Sequence, residues 1–203
     1  GVDGGAPFLG GGEFRAGVFS HYVETDLHVD SLASHARIKR VGGGAYLAMT
    51  FGGFDANLGF SASDVRADVR RAIAFAGTAT PATGQRDGRE MQAFGELGYR
   101  VPLGAATFIE PYAAASVANV RLHRTAEAGA IQRVDVADQQ NDLGTLDLGL
   151  RGRASLGTLR LSARAAARHS LGDRPIDSLV KLAETQQQPF LIRATQFDDW
   201  GAF

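Results

Sequence analysis

From residue 143 to residue 169, apolar and polar side chains alternate with a period of two. In LGTLDLGLRGRASL, Leu146, Leu148, Leu150, Gly152, Ala154 and Leu156 share one face, and Thr145, Asp147, Gly149, Arg151, Arg153 and Ser155 share the other. LRLSARAAARH repeats the pattern, with Leu159, Leu161, Ala163, Ala165 and Ala167 opposed to Arg160, Ser162, Arg164 and Arg168. A helix would put Leu148, Arg151 and Ser155 on one stripe, so the spacing predicts two half-buried strands. Only Gly157 and Thr158 separate them, and glycine in first position suits a two-residue type II′ hairpin.

Five earlier segments carry the same alternation: EFRAGVFSHYV from 13, RVGGGAYLAMTF from 40, FDANLGFSA from 54, MQAFGELGYRV from 91 and IEPYAAASVA from 109. Each is about ten residues long, the length a tilted strand needs to cross a hydrocarbon layer. The links between them alternate. Those near Gly52 and Gly53, at 102–105, and at Gly157 and Thr158 are short; those at 24–37, 64–88, 120–142 and 170–188 are long and rich in Asp, Arg, Gln, Thr and Gly. Strands joined by tight turns at one end and long polar links at the other match an outer-membrane β-barrel, with lipid on one face and a polar lumen on the other. The predicted fold is all-β, an antiparallel up-and-down transmembrane barrel.

Composition fits this reading. The 203-residue chain is long enough for one ordinary domain, carries a formal net charge of −1, and has no cysteine. No run of eighteen apolar residues is present, so no membrane helix is expected, and a mean hydropathy near zero is normal for strands apolar on one side only. Near neutrality without a basic cluster argues against nucleic acid as a partner. Absence of cysteine suits export through an oxidising compartment.

Residues 88–173 resemble the autotransporter β-domain, the translocator barrel of type V secretion. The resemblance rests on AFGELGYR at 93–100, IEPYAAASV at 109–117, LGLRGRASL at 148–156 and RHSLGD at 168–173. It extends upstream through FRAGVFSHYVETDLHVD at 14–30 and GGGAYLAM at 42–49. It implies a twelve-stranded barrel in the outer membrane of a Gram-negative bacterium, exporting an N-terminal passenger and assembled by the barrel-assembly machinery. Aligned on that pattern, residues 1–3 fall at the end of the second strand, 13–169 supply the third to ninth, and 187–203 approach the tenth. The expectation is therefore one incomplete domain over 1–203, about eight or nine of twelve strands, lacking the first strand and the last two. Phe197, Trp200 and Phe203 are spaced by three and do not fit a final period-two strand.

The polar face collects the candidate lumen residues Arg15, Arg40, Asp55, Glu96, Arg100, Glu110, Asp147, Arg151, Arg153, Arg160, Arg164 and Arg168. The Gly157 turn sets Asp147 opposite Arg168, a natural ion pair, and Arg151 opposite Arg164, a repulsive one unless Glu96 or Glu110 intervenes. Arg100 and Glu110 are placed to meet across the 102–105 turn. Phe14, Tyr22, Phe51, Phe54, Tyr99 and Phe108 lie near strand ends, as interfacial aromatic girdles do. His169, Ser170 and Asp173 are adjacent without a G-x-S-x-G elbow, so catalysis is not expected. His21, His28, His35 and His123 lie in or beside the long links and form no compact ligand motif. The glycine runs at 10–12 and 42–44 open no helix and so form no phosphate loop; the second suits close packing.

The expected partners are outer-membrane lipid, the passenger and the assembly machinery, with no cofactor, metal or small-molecule substrate. Two rival readings use the same strands. One is a free-standing outer-membrane barrel with an adhesion or envelope-structural role. The other is a soluble ligand-binding barrel, which would need its Leu/Ala face inside and its arginines outside.

Overall fold

The computed structural model describes residues 1–8, 11–29, 34–75, 78–129, 134–172, 176–182, 190–194 and 200–202. Its strands in chain order are β1 (Val2–Phe8), β2 (Gly12–Val29), β3 (Ser34–Phe51), β4 (Phe54–Phe75), β5 (Thr78–Tyr99), β6 (Val101–Gly104) and β7 (Thr107–Leu122). They continue with β8 (Thr125–Ala126), β9 (Val134–Val136), β10 (Gln139–Leu156), β11 (Leu159–Gly172), β12 (Ile176–Leu182), β13 (Phe190–Ala194) and β14 (Trp200–Ala202). The main sheet runs β1-β2-β3-β4-β5-β7-β10-β11-β14, with β6 also on β7, and a smaller sheet runs β13-β12-β9-β8. All pairings are antiparallel. The fold is all-β and up-and-down. Among the described residues no ladder joins β1 to β14, so the sheet is open.

The two faces are sorted as the alternation implies. Among the described residues of the long strands, every buried non-glycine residue lies on the polar face: Ser63, Val65, Ala82, Glu110, Tyr112, Asn141, Asp147 and Ala166. The apolar face is exposed, with Val18 at 60%, Leu58 at 51%, Leu97 at 53% and Leu148 at 55%. A water-soluble barrel would show the opposite arrangement. This sheet is built to face hydrocarbon.

Glycine and aromatic side chains interlock on the polar face. A Cβ at Gly17 would lie 2.6 Å from the Tyr46 ring, one at Gly59 would lie 2.2 Å from the Phe94 ring, and one at Gly149 would lie 2.6 Å from the Tyr112 ring. Each aromatic ring therefore lies flat over the residue opposite it. The 42–44 run packs closely as expected: a Cβ at Gly42 would sit 2.2 Å from the Ala62 carbonyl oxygen. At the tight end, Gly52 and Gly53 have φ of 56° and 89°, as a type I′ turn between Phe51 and Phe54 requires. Gly157 has φ 65°, the positive value its turn needs, and the register after it pairs Asp147 with Arg168 and Arg151 with Arg164. The third tight turn falls at Ala105 and Ala106, past β6, rather than across 102–105.

The expected long links are mostly strand. β2 and β3 remain paired from Val23–Arg40 out to Val29–Ser34, and β4 and β5 remain paired to Phe75–Thr78. Only 30–33 and 76–77 of the expected 24–37 and 64–88 links lie outside the described residues. The 120–142 link contains the end of β7, β8, β9 and the start of β10, and the 170–188 link contains β12. Residues 1–3 likewise open a longer strand, β1. Near the other end β14 pairs with β11 through Trp200 and His169, while Phe197 and Phe203 lie outside the described residues.

About ten residues of each long strand, from the tight turns up to Tyr22, Val41, Asp64, Arg89 and Asn119, cross the apolar band. Above it the sorting inverts: the face continuous with the apolar band turns charged, the other carries Val23, Leu27, Ile38, Val65 and Val69, and cross-strand charges hold the hairpins. Arg37 Nε donates to Asp26 Oδ1 at 2.8 Å and lies 3.2 Å from Glu24. The Arg37 guanidinium holds the Asp26 carboxyl below its ordinary value. A carboxylate depressed in the folded hairpin contributes its full stabilisation above the ordinary carboxylate range and loses it as pH falls through the depressed value. Amide exchange of 24–29 and 34–39 should therefore accelerate relative to the apolar band as pH drops below about 4, after correction for intrinsic rates. Asp26→Asn should show that acceleration already at pH 7; unchanged protection in both cases would refute the role of this pair.

Candidate functional site: the charged inner wall

The polar face of β5, β7, β10 and β11 carries one continuous network. Arg151 on β10 lies at its centre, with Nη1 donating to Glu96 at 2.7 Å and Nη2 donating to Glu110 at 2.5 Å. Glu110 is 2% exposed, the most buried large side chain of the sheet. It fits because its diagonal neighbour on β5 is glycine: a Cβ at Gly98 would lie 2.2 Å from Glu110 Oε1. Arg164, directly opposite Arg151, turns to Tyr112, donating from Nε to the phenol oxygen at 2.6 Å with its guanidinium 4.7 Å from the ring centroid. Arg151 packs on the same ring at 5.2 Å. Glu96, Glu110 and Tyr112 thus separate two facing cations that would otherwise repel.

Two rows further from the turn, past Gly149 and Ala166, Asp147 accepts two hydrogen bonds from Arg168, both at 2.7 Å. This two-point geometry is the strongest form of an arginine–carboxylate pair. Ser116 and Thr145 bond at 2.7 Å beside it.

Near the tight turns the pairing differs from the expected one. Arg100 faces Glu110 in register but reaches Asp55 instead, at 2.6 Å, where Asp55 also accepts from Thr50 at 2.7 Å. Glu110 is committed to Arg151 across the other strand, and Arg100 pairs with the Asp55 oxygen that Thr50 leaves open. Phe108 also departs from expectation. It lies on the polar face between Arg100 at 4.8 Å and Arg153 at 5.8 Å, so it is a cation–π partner and not part of a girdle. Phe14, Phe51, Phe54 and Tyr99 do lie on the apolar face toward the tight turns, with Phe54 and Tyr99 rings 4.8 Å apart. Tyr22 lies at the opposite edge of the band and donates to Glu24 at 2.5 Å. Beside the turn, Arg100, Phe108, Glu110, Arg151, Arg153 and Arg164 line a cavity of about 550 Å³ with an excess of positive charge.

The remaining candidates are more dispersed. Arg40 lies 3.4 Å from Glu90, and Arg15 lies 3.7 Å from Asp3 with both side chains exposed. Arg160 stands opposite Ser155 on the last hairpin. The sequence placed His21, His28 and His35 in or beside the long links; His21 lies on this face, and His28 and His35 lie on the opposite one. His21 Nε2 lies 2.9 Å from Ser63 Oγ, reaching over Gly42. His28 and His35 face each other with ring nitrogens 3.0 Å apart, so these three histidines belong to strands rather than loops. The signal was period two continued past the apolar band with its faces exchanged, as in Val23, Leu27 and Val29 against Glu24, Asp26 and His28.

At the far end Arg71 donates twice to Glu127, at 2.7 and 2.5 Å, and Arg86 Nε donates to the His123 carbonyl at 2.8 Å while Nη2 donates to that of Ala137 at 2.8 Å. The carboxylate of Glu127 raises the Arg71 pKa, and burial lowers that of Arg86. These two arginines fasten the β8–β9 segment to the rim of the main sheet. Among the described residues no group of three or more His, Cys, Asp or Glu side chains could hold a metal ion.

An antiparallel up-and-down sheet with an exposed apolar band, tight turns at one end and a charged inner wall defines an outer-membrane type of β-barrel sheet. Residues 1–202 match the Autotransporter beta-domain family, and the chain belongs to that family. No curated protein matches the chain.

Removing the central cation leaves two carboxylates, one of them buried, without a partner. Arg151→Met should lower the stability of the folded barrel by about 3 kcal/mol, read as a lower urea midpoint for loss of the heat-sensitive gel shift. Combining it with Glu96→Gln and Glu110→Gln should recover most of that loss. A single variant as stable as the parent would contradict the buried-charge account.

Proposed function

We propose that residues 1–203 act as one translocator unit in the outer membrane of a Gram-negative bacterium, anchoring an N-terminal passenger and supporting its export to the cell surface. In this reading the tight turns face the periplasm and the extended hairpins face outward. The observation that carries it is the inverted sorting of the two faces in a chain of the autotransporter family: apolar side chains half exposed outside, ion pairs buried inside. The inner wall supports a transport role because its cations are held in place by Glu96, Glu110, Asp147 and Asp55, leaving a hydrated, rigid surface to which a passing peptide need not bind tightly. The partners on this reading are outer-membrane lipid, the passenger and the barrel-assembly machinery. The contribution of the domain is anchorage and passage, with no catalytic step.

An epitope placed ahead of Gly1 tests the proposal. In intact cells it should become accessible to antibody and to added protease, while the barrel fractionates with the outer membrane. Leu148→Arg, at the middle of the apolar face, should cost about 2–4 kcal/mol of insertion energy and reduce both readouts together. An epitope retained on the periplasmic side of a correctly inserted barrel would refute export. Recovery of the chain in the soluble fraction would refute the membrane reading itself.

A further inference from the structure

The apolar face carries a groove whose upper end is cationic. Phe60, Ala93, Val117, Gly144 and Leu171 form one cross-strand row over β4, β5, β7, β10 and β11. The row is large at both ends and small in the middle, and it forms part of a hollow of about 580 Å³. One row further from the tight turns, Met91, Asn119 and Asp142 follow, with Asn119 Nδ2 donating to Asp142 Oδ1. The next row is Asp64, Arg89, Arg121 and Gln140. Here two arginines stand directly opposite each other at the boundary of the apolar band.

Like charges at facing positions are destabilising. On the inner wall the equivalent conflict between Arg151 and Arg164 is relieved by two carboxylates and a tyrosine. On the outer face Arg89 has one ion pair among the described residues, to Asp64 at 3.3 Å, both side chains being about four-fifths exposed. Arg121, which lines the groove, has no ion pair among the described residues. An anion seated between the two guanidinium groups would satisfy both, and phosphate fits this fork geometry. A hollow on a lipid-facing surface forfeits dispersion contacts unless a chain fills it.

We propose that this groove is a resident site for an outer-leaflet phosphoglycolipid, an acylated sugar phosphate of the lipid A type. Its phosphate bridges Arg89 and Arg121. Its sugar meets the amide and carboxylate groups of Asn119, Asp142 and Gln140, and one acyl chain lies along Ala93, Val117 and Gly144. The polar row beside the arginines favours a sugar headgroup over a simple glycerophosphate, which would use only the cationic pair. The assignment to the outer leaflet rests on the orientation proposed above.

The intact chain, purified in mild detergent and examined by native mass spectrometry, should retain lipid A when mixed with it. Retention should fall about tenfold for dephosphorylated lipid A and for phosphatidylglycerol of matched chain length. Arg121→Gln should cause a similar loss for phosphorylated lipid A, and Gly144→Leu, which fills the groove, should weaken retention of both glycolipids. Equal retention of the phosphorylated and dephosphorylated forms, equal retention of phosphatidylglycerol, or indifference to both substitutions would overturn the proposal. The heat-sensitive gel shift of the same samples reports the barrel separately. A folded barrel indifferent to phosphate overturns this site alone, whereas an unmodified chain without the shift overturns the membrane reading and the site with it.

Discussion

Hydrocarbon offers no hydrogen bonds, so a chain that crosses it with strands must pair its backbone groups strand to strand. Most features of this sheet follow from that constraint. It makes the ladders long, with β4 and β5 paired over 22 residues each, and it keeps the strands antiparallel with tight glycine turns at one end. It also defines β1 and β14 as the two places where the ladder stops, edges that must be covered wherever the sheet meets lipid. Side chains then have two separate tasks, solubility in lipid on one face and mutual satisfaction on the other.

The inner face meets the second task by geometry more than by composition. Glycines diagonal to Glu110 and opposite Tyr112, Phe94 and Tyr46 let large side chains lie along the wall. That horizontal packing brings Glu96 and Glu110 within reach of Arg151 from two neighbouring strands. Without Gly98 the Glu110 side chain would have to move, and Arg151 and Arg164 would face each other with less screening between them. The wall is therefore a set of interlocked placements in which a glycine contributes as much as a charge.

Parity made the apolar band, the strand count through 13–169 and the last hairpin legible in the sequence. The register of Asp147 on Arg168 was legible because a two-residue turn leaves no freedom to slip. Two kinds of feature were not. Beyond Asp64 and Arg89 period two continues with its faces exchanged, as in Val65, Ala67 and Val69 against Arg66, Asp68 and Arg70, so these charge-rich stretches read as links, and the strands are held by pairs such as Arg66 with Asp87 that emerge only once the register is known. The choice of Arg100 between Glu110 and Asp55 was also hidden. Register put it beside the first, but prior commitment of Glu110 to Arg151 sent it to the second. Phe108 was misplaced for a related reason: nearness to a strand end suggested a girdle, while its parity put it on the inner wall between two guanidinium groups.

The paired extensions of β2 with β3 and of β4 with β5 do more than shorten the loops. Past the apolar band β4 and β5 continue for roughly 25–30 Å at an ordinary strand rise and tilt. They form a stiff parapet, braced at the rim where Arg71 and Arg86 hold the β8–β9 segment. In the export role proposed above, a polypeptide emerging beside that wall would be screened on this side from antibodies and proteases until it cleared the top. The height of these hairpins would then set how much of an emerging chain had left the membrane before its surroundings could act on it.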